Sequence, residues 1–133
     1  MKKTILIQDL QYKKAIETGA DEILMIGGTG TRLDHVMGNF GQLFYAHSKG
    51  VKAELVDANN RIRVLNHEDT ISKKDQFGKY VSLIPIYEAR GVTLTGFKYP
   101  LKDHTLVFEQ SLAISNELEA EEGIIHLVKE NCF

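Results

Sequence analysis

The chain has 133 residues, of which 43% are hydrophobic, and a formal net charge of −2 at pH 7. This length allows one ordinary domain or two very small ones, and the charge excludes a broad basic surface for nucleic acid. No apolar run approaches a membrane span, the apolar start is too short for a signal peptide, and the single cysteine excludes an internal disulfide framework. We therefore expect a soluble, cytoplasmic protein that binds neither nucleic acid nor membrane.

The first half of the sequence predicts alternating helices and strands. Residues 8–18 have the pattern of a helix, with Asp9 in a position to cap its start, and a strand follows at 22–26. From Leu33 onwards apolar residues recur at helical spacing, and a further strand is predicted at 53–57. The order helix, strand, helix, strand indicates α/β architecture with parallel strand pairing.

After residues 57–60 the pattern changes to short strands separated by turn residues. These strands are predicted at 61–65, 69–72, 80–86, 91–96, 105–108 and 123–128. Short strands at such spacing favour an antiparallel sandwich or barrel. We therefore predict an α/β part at 1–58 and an all-β sandwich at 59–133. The α/β part has too few elements to be stable alone, so we expect it to pack against a partner or to be part of a larger domain.

A glycine-rich turn lies between the strand at 22–26 and the following helix. Its sequence is Gly27-Gly28-Thr29-Gly30-Thr31-Arg32-Leu33-Asp34-His35. Glycines at a helix start let an anion approach backbone N–H groups, arginine binds phosphate oxygens, and aspartate can hold a metal or orient a hydroxyl. The turn therefore predicts a phosphate site, although it lacks the full P-loop and dinucleotide signatures. A turn without any ligand is the alternative.

Four motifs resemble the thiamine pyrophosphokinase family, particularly its bacterial members, and they follow one another along the chain in the order found in that family. Residues 28–35 resemble the family's Gly-x-Gly-x-Arg-Leu-Asp-His loop, and residues 19–23 resemble its lead-in. The segments at 81–85, 91–101 and 114–117 resemble motifs of its C-terminal β domain. The resemblance implies an α/β nucleotide domain and a thiamine-binding β-sandwich. It also implies transfer of a pyrophosphoryl group from ATP to thiamine with Mg²⁺, giving thiamine diphosphate and AMP, usually in a homodimer.

The resemblance does not extend over the whole length of the family. Members carry an N-terminal stretch with an Asp-x-Asp pair, and a second acidic cluster begins the helix that corresponds to residues 8–18. Asp9 is the only residue here that could correspond to an acid of that cluster, and it is the one residue that we predict as a metal ligand. We therefore predict the C-terminal portion of such an enzyme, weakly active or inactive alone. The alternatives are a non-catalytic thiamine-binding or dimerisation module and a truncated product without a function.

On the ATP side, the resemblance assigns catalytic roles to two charged residues. Arg32 would clamp phosphate, and Asp34 would help to position metal, phosphate or the thiamine hydroxyl. The structural alternatives are an exposed arginine for Arg32 and, for Asp34, a first-turn acid that the helix dipole favours and that could complete a capping box with Thr31. The other nucleotide-binding candidates are Gly28, Thr29, Gly30 and His35.

On the thiamine side, the resemblance points to the last two motifs. The candidates are Ser115, Asn116, Tyr99, Leu106 and Ala113. The hydroxyl of Ser115 and the amide of Asn116 would read the aminopyrimidine ring, with ordinary turn chemistry as the alternative. Tyr99 would stack on the thiamine rings, with a place in the sandwich core as the alternative.

Overall fold

A computed structural model describes residues 2–7, 12–30 and 32–131. The chain divides into two compact units, Met1–Val64 (unit 1) and Leu65–Phe133 (unit 2). Each unit has its own hydrophobic core. The division therefore falls later than the predicted boundary between residues 58 and 59.

Within its described residues, unit 1 is a four-stranded sheet with two helices. Its elements in chain order are β1 (Thr4–Ile7), α1 (Tyr12–Glu17), β2 (Glu22–Ile26), α2 (Leu33–Ser48), β3 (Lys52–Val56) and β4 (Arg61–Arg63). The first three strands pair in parallel in the order β1-β2-β3, and β4 pairs antiparallel with β3. The predicted α/β pattern with parallel pairing is confirmed. The sequence does not predict β1, and β4 belongs to this sheet rather than to the all-β part.

The core of unit 1 explains why its central strands form. Ile23 and Met25 on β2, and Ala53 and Leu55 on β3, are buried at alternate positions, which is the period of a strand with one covered face. They share one hydrophobic cluster with Leu43 of α2. This packing holds the ends of β2 and β3, and thus the glycine-rich turn, in place.

Helix α2 is less fully covered than its apolar spacing predicts. Leu43 is buried, and so is the polar Asn39. Leu33 and Met37, in the first turns, are instead exposed. Helical spacing therefore identifies the helix correctly without showing which of its apolar residues are covered.

Unit 2 contains only strands within its described residues. They are β5 (Glu68–Ser72), β6 (Tyr80–Val81), β7 (Glu88–Thr95), β8 (Leu101–Val107), β9 (Asn116–Glu117), β10 (Glu122–His126) and β11 (Lys129–Asn131). One antiparallel sheet has the order β11-β7-β10-β5, with β8 also paired to β7, and β6 and β9 form a separate antiparallel pair. The all-β antiparallel character is confirmed, whereas the sandwich arrangement stays a prediction.

The core of unit 2 lies along β7, β8 and β10. Val92, Leu94, Leu106 and Ile125 are buried in one cluster together with Phe97. Phe97 follows β7 and makes an isolated antiparallel bridge to Leu118. Because Phe97 is anchored in the core, the loop that follows it, at residues 98–100, is held beside β9.

Neither helix in the described part of the chain is long and apolar enough to cross a membrane.

Candidate functional site

The glycine loop (residues 27–32) follows the carboxyl end of β2 and leads into α2. Gly27 has a φ of 74°, a conformation that favours glycine, and its N–H donates to the Val56 carbonyl at the end of β3. The buried Asn39 of α2 donates from Nδ2 to the Gly28 carbonyl over 2.8 Å. In α/β sheets, ligands bind outside the carboxyl ends of the strands. The predicted phosphate loop therefore lies at the edge of the sheet where a ligand is expected.

Two glycines of this loop have different surroundings. A Cβ at Gly28 would lie 2.6 Å from Met25 Sδ, 2.9 Å from Leu55 Cδ1 and 3.1 Å from Asn39 Nδ2. A Cβ at Gly30 would have no heavy atom within 4 Å. Packing of the loop on the sheet thus requires Gly28, whereas Gly30 leaves open space next to the backbone.

Asp57 follows β3 and connects its turn to the glycine loop. Thr29 Oγ1 donates to Asp57 Oδ2, and the N–H groups of Asn59 and Asn60 donate to Asp57 Oδ1. These hydrogen bonds, that from Thr29 first, lower the pKa of Asp57 from its ordinary 3.8 to about 2. Asp57 is therefore ionised at neutral pH and holds Thr29 against the turn at 57–60.

Arg32 and Asp34 form an exposed ion pair where α2 begins. Arg32 donates from Nε to Asp34 Oδ1 over 3.2 Å and from Nη2 to Asp34 Oδ2 over 2.6 Å. The bond from Arg32 keeps the pKa of Asp34 below its ordinary value. Asp34 lies in the first turn of α2, where the helix dipole favours an acid, and the next residue, His35, is exposed. A phosphate at this site would compete with Asp34 for the guanidinium of Arg32.

Two residues named from the sequence lie outside the described residues. They are Asp9, the metal candidate, and Thr31, a possible partner of Asp34 in a capping box. At the start of α2, the residue before the first turn is Arg32, and its side chain makes no capping hydrogen bond.

The described residues do not fit a magnesium site by themselves. Within residues 2–7, 12–30 and 32–131, no group of three or more His, Cys, Asp or Glu side chains is placed to hold a metal ion. Mg²⁺ is usually bound by one or two carboxylates together with substrate phosphates. Both carboxylates of the loop region are already engaged, Asp34 with Arg32 and Asp57 with Thr29 and its own turn.

Asn116 and Tyr99, both predicted on the thiamine side, are directly bonded in unit 2. The Tyr99 N–H donates to Asn116 Oδ1 over 3.0 Å, and Asn116 Nδ2 donates to the Tyr99 carbonyl over 2.9 Å. Asn116 is buried, whereas Tyr99 is 58% exposed. The alternative of a core position for Tyr99 is therefore wrong. Its ring already has a cation beside it, since Lys98 Nζ lies 5.5 Å from the ring centroid.

Ser115 adopts an uncommon backbone conformation next to this pair. Its φ is 58°, in the left-handed region that few non-glycine residues occupy. Its N–H donates to Ser82 Oγ over 2.9 Å, and the Leu83 N–H donates to the Ala113 carbonyl over 2.9 Å. Ser82 is not among the site residues predicted from the sequence. It lies in the Val-Ser-Leu-Ile-Pro segment that contributes to the family resemblance, and that segment is the signal that points to it.

Leu106 and Ala113, the remaining thiamine-side candidates, are both buried in the core of unit 2. Their contact with a ligand stays a prediction.

Unit 2 has the sequence of a vitamin-binding domain. Residues 67–130 match the family model described as "Thiamin pyrophosphokinase, vitamin B1 binding domain". This range covers β5 to β10 and leaves only the ends of unit 2 outside the match. The fold and the match together thus show that unit 2 is similar to the vitamin B1 binding domain of thiamin pyrophosphokinases.

Comparisons that span about nine-tenths of the chain find similar thiamine pyrophosphokinases. The chain is 36% identical over 122 residues to a thiamine pyrophosphokinase of Bacillus subtilis (strain 168), covering 91% of this chain and 57% of that protein. The crystal structure of the thiamine pyrophosphokinase from Bacillus subtilis superimposes with a TM-score of 0.83 at 37% identity, covering 92% of this chain and 58% of that one. The corresponding structure from Geobacillus thermodenitrificans gives a TM-score of 0.76 at 35% identity, covering 89% and 54%.

The chain is therefore similar to thiamine pyrophosphokinases over about nine-tenths of its length, and it matches the C-terminal portion of these enzymes. The resemblance inferred from the four motifs is confirmed. The chain spans a little over half the length of the relatives that it matches.

Proposed function

We propose that the chain serves thiamine diphosphate formation, with unit 2 binding thiamine and the glycine loop of unit 1 binding ATP phosphates. In the reaction, the thiamine hydroxyl oxygen bonds to the β-phosphorus of ATP, and the bond from that phosphorus to the oxygen bridging to the α-phosphate breaks. AMP leaves, thiamine diphosphate forms, and the hydroxyl proton is released. The match of residues 67–130 to a vitamin B1 binding domain is the observation that carries the proposal.

Thiamine carries a positive charge on its thiazolium ring, and the Tyr99 ring suits such a ligand. The ring is largely exposed and already accommodates the ammonium group of Lys98 near its centroid. An aromatic face attracts an organic cation in the same way. The Ser115 hydroxyl, two residues from the core residue Ala113, supplies the hydrogen-bonding group for the aminopyrimidine.

On the nucleotide side, Arg32 exchanges its partner when phosphate binds. In the described structure its guanidinium is paired with Asp34, and both side chains are largely solvated. A triphosphate offers Arg32 a stronger bidentate partner, which releases the Asp34 carboxylate. Gly30 provides the open backbone next to which phosphate oxygens lie, and Thr29 and His35 are the further nucleotide-binding residues of the proposal.

The chain alone is expected to transfer little or no pyrophosphate. Mg²⁺ is the cofactor of the proposed reaction, and the described residues do not form a site for it. A homodimer in the cytoplasm is the proposed working state. Exposed large apolar side chains on unit 2 are consistent with association, namely Ile84, Tyr87, Phe108, Leu112 and Ile114.

A non-catalytic thiamine-binding module is the second candidate function. The engaged carboxylates of the loop region and the missing metal cluster in the described residues favour it. Titration calorimetry separates the two functions: binding of both thiamine and magnesium-ATP supports the enzyme, whereas thiamine binding alone supports the module. An assay of AMP release from ATP and thiamine completes the test. Turnover at ordinary enzyme rates, about 1 s⁻¹ or faster, contradicts the proposal that the chain alone is weak or inactive.

A further inference from the structure

Asn116 is one of two polar residues that are buried in the described part of the chain, with a relative exposure of 3%. Its side chain makes three hydrogen bonds to backbone groups. Oδ1 accepts from the N–H groups of Tyr99 and Glu117, and Nδ2 donates to the Tyr99 carbonyl. An amide oxygen has two lone pairs, so the acceptor capacity of Asn116 is filled by the protein itself.

The register of the strands explains this arrangement. The backbone of Asn116 pairs with Val81 in the β6–β9 ladder, on one side of β9. Leu118, the residue after β9, forms an isolated antiparallel bridge with Phe97 on the other side. The Asn116 side-chain amide makes hydrogen bonds to both the N–H and the carbonyl of Tyr99, as the backbone of a neighbouring strand would. It thereby extends the pairing beyond the Phe97–Leu118 bridge. Tyr99 is thus fixed at its backbone while its ring remains exposed.

We propose that Asn116 is a positioning residue that acts through Tyr99 and does not itself contact the ligand. The Tyr99 ring is the ligand-binding surface, and Asn116 fixes its place beside Ser115. This inference rests on the proposed binding of thiamine to unit 2. It replaces the expectation that the Asn116 amide binds the aminopyrimidine ring. That amide is buried, and its oxygen already accepts two hydrogen bonds from the protein.

A double-mutant cycle on thiamine affinity tests the inference. The full chain and its Tyr99→Ala, Asn116→Ala and doubly substituted variants are titrated with thiamine by calorimetry. We expect Tyr99→Ala to weaken binding about tenfold, as the loss of a cation–π contact implies. Asn116→Ala is expected to weaken binding severalfold in the unchanged chain and to have no further effect in the Tyr99→Ala background. Additive losses overturn the inference.

Two measurements separate positioning from a general loss of structure. Asn66→Ala, an exposed asparagine of unit 2, is the matched control and is expected to leave thiamine affinity unchanged. Hydrogen exchange at the Tyr99 amide is expected to become faster in Asn116→Ala, since that N–H loses its buried acceptor. Unchanged exchange at this amide contradicts the inference without reference to thiamine.

Asn116→Asp replaces Asn116→Ala in the cycle if the alanine variant does not fold. The carboxylate keeps the two acceptor contacts and loses the donation to the Tyr99 carbonyl, so the same non-additive cycle with Tyr99→Ala is expected. Failure of the unchanged chain to bind thiamine overturns the proposed function and this inference together. Thiamine binding with an additive cycle overturns only this inference.

Discussion

Gly28 and Gly30 form a matched pair of substitution sites within the glycine loop. Both are predicted to lie next to phosphate, yet only Gly28 is confined by packing. The new methyl group of Gly28→Ala would lie 2.6 Å from Met25 Sδ and 2.9 Å from Leu55 Cδ1, well inside normal contact. Met25 and Leu55 are completely buried, so neither has solvent-filled space into which it can move.

Only the substitution at Gly28 is expected to lower the stability of unit 1. Overpacking of this kind costs about 1–3 kcal/mol, which lowers the melting temperature of a unit of this size by roughly 4–24 °C. Gly30→Ala meets nothing within 4 Å and has no positive φ to oppose it. It is expected to leave stability unchanged or to raise it by up to about 1 kcal/mol, because alanine reduces the freedom of the unfolded chain.

Circular dichroism at 222 nm measures these changes in the right part of the molecule. Both helices of the described structure belong to unit 1, so the thermal loss of helical signal reports on that unit. The reasoning is refuted if Gly28→Ala melts at the same temperature as the unchanged chain. It is also refuted if Gly30→Ala is destabilised as strongly as Gly28→Ala.

Two further predictions concern Asp57 and Ser82. The pKa of Asp57 is about 2 in the folded chain and ordinarily 3.8, so its ionised form stabilises unit 1 above about pH 4, and this contribution is lost as the pH falls through 2. Asp57→Asn is therefore expected to lower the urea midpoint at pH 7 and to flatten its decline between pH 4 and pH 2; an unchanged pH profile contradicts this. Ser82→Ala removes the acceptor of the Ser115 N–H and is expected to weaken thiamine binding severalfold with little loss of melting temperature, with rescue by Ser82→Thr. Equal affinities of Ser82→Ala and the unchanged chain in calorimetry speak against that role.

Local sequence patterns predict those elements of unit 1 that depend only on residues close together along the chain. The strand at Glu22–Ile26 and the helix beginning at Leu33 were predicted where they occur, because strand and helix periods are visible in a short window. The sheet to which β4 belongs was not predictable, since a three-residue strand carries no sign of its partner. β1 was missed for the same reason, because its four residues become a strand only by pairing with β2.

The candidate site was predictable as a set of positions but not as a set of contacts. The motifs identified Gly28, Gly30, Tyr99 and Asn116 as candidates without showing what surrounds each one. The difference between the two glycines depends on side chains from β2, β3 and α2, which pack together only in the fold. In the same way, the bond between Asn116 and Tyr99 depends on strand register across 17 residues of sequence.

Thiamine binding by the full chain is the central claim, and calorimetric titration tests it most directly. We expect saturable binding of thiamine that is weakened by Tyr99→Ala and left unchanged by Asn66→Ala. Absence of binding at thiamine concentrations up to about 1 mM, the upper end of ordinary KM values, contradicts the account. Binding that is equally strong in the Tyr99→Ala variant contradicts the proposed site.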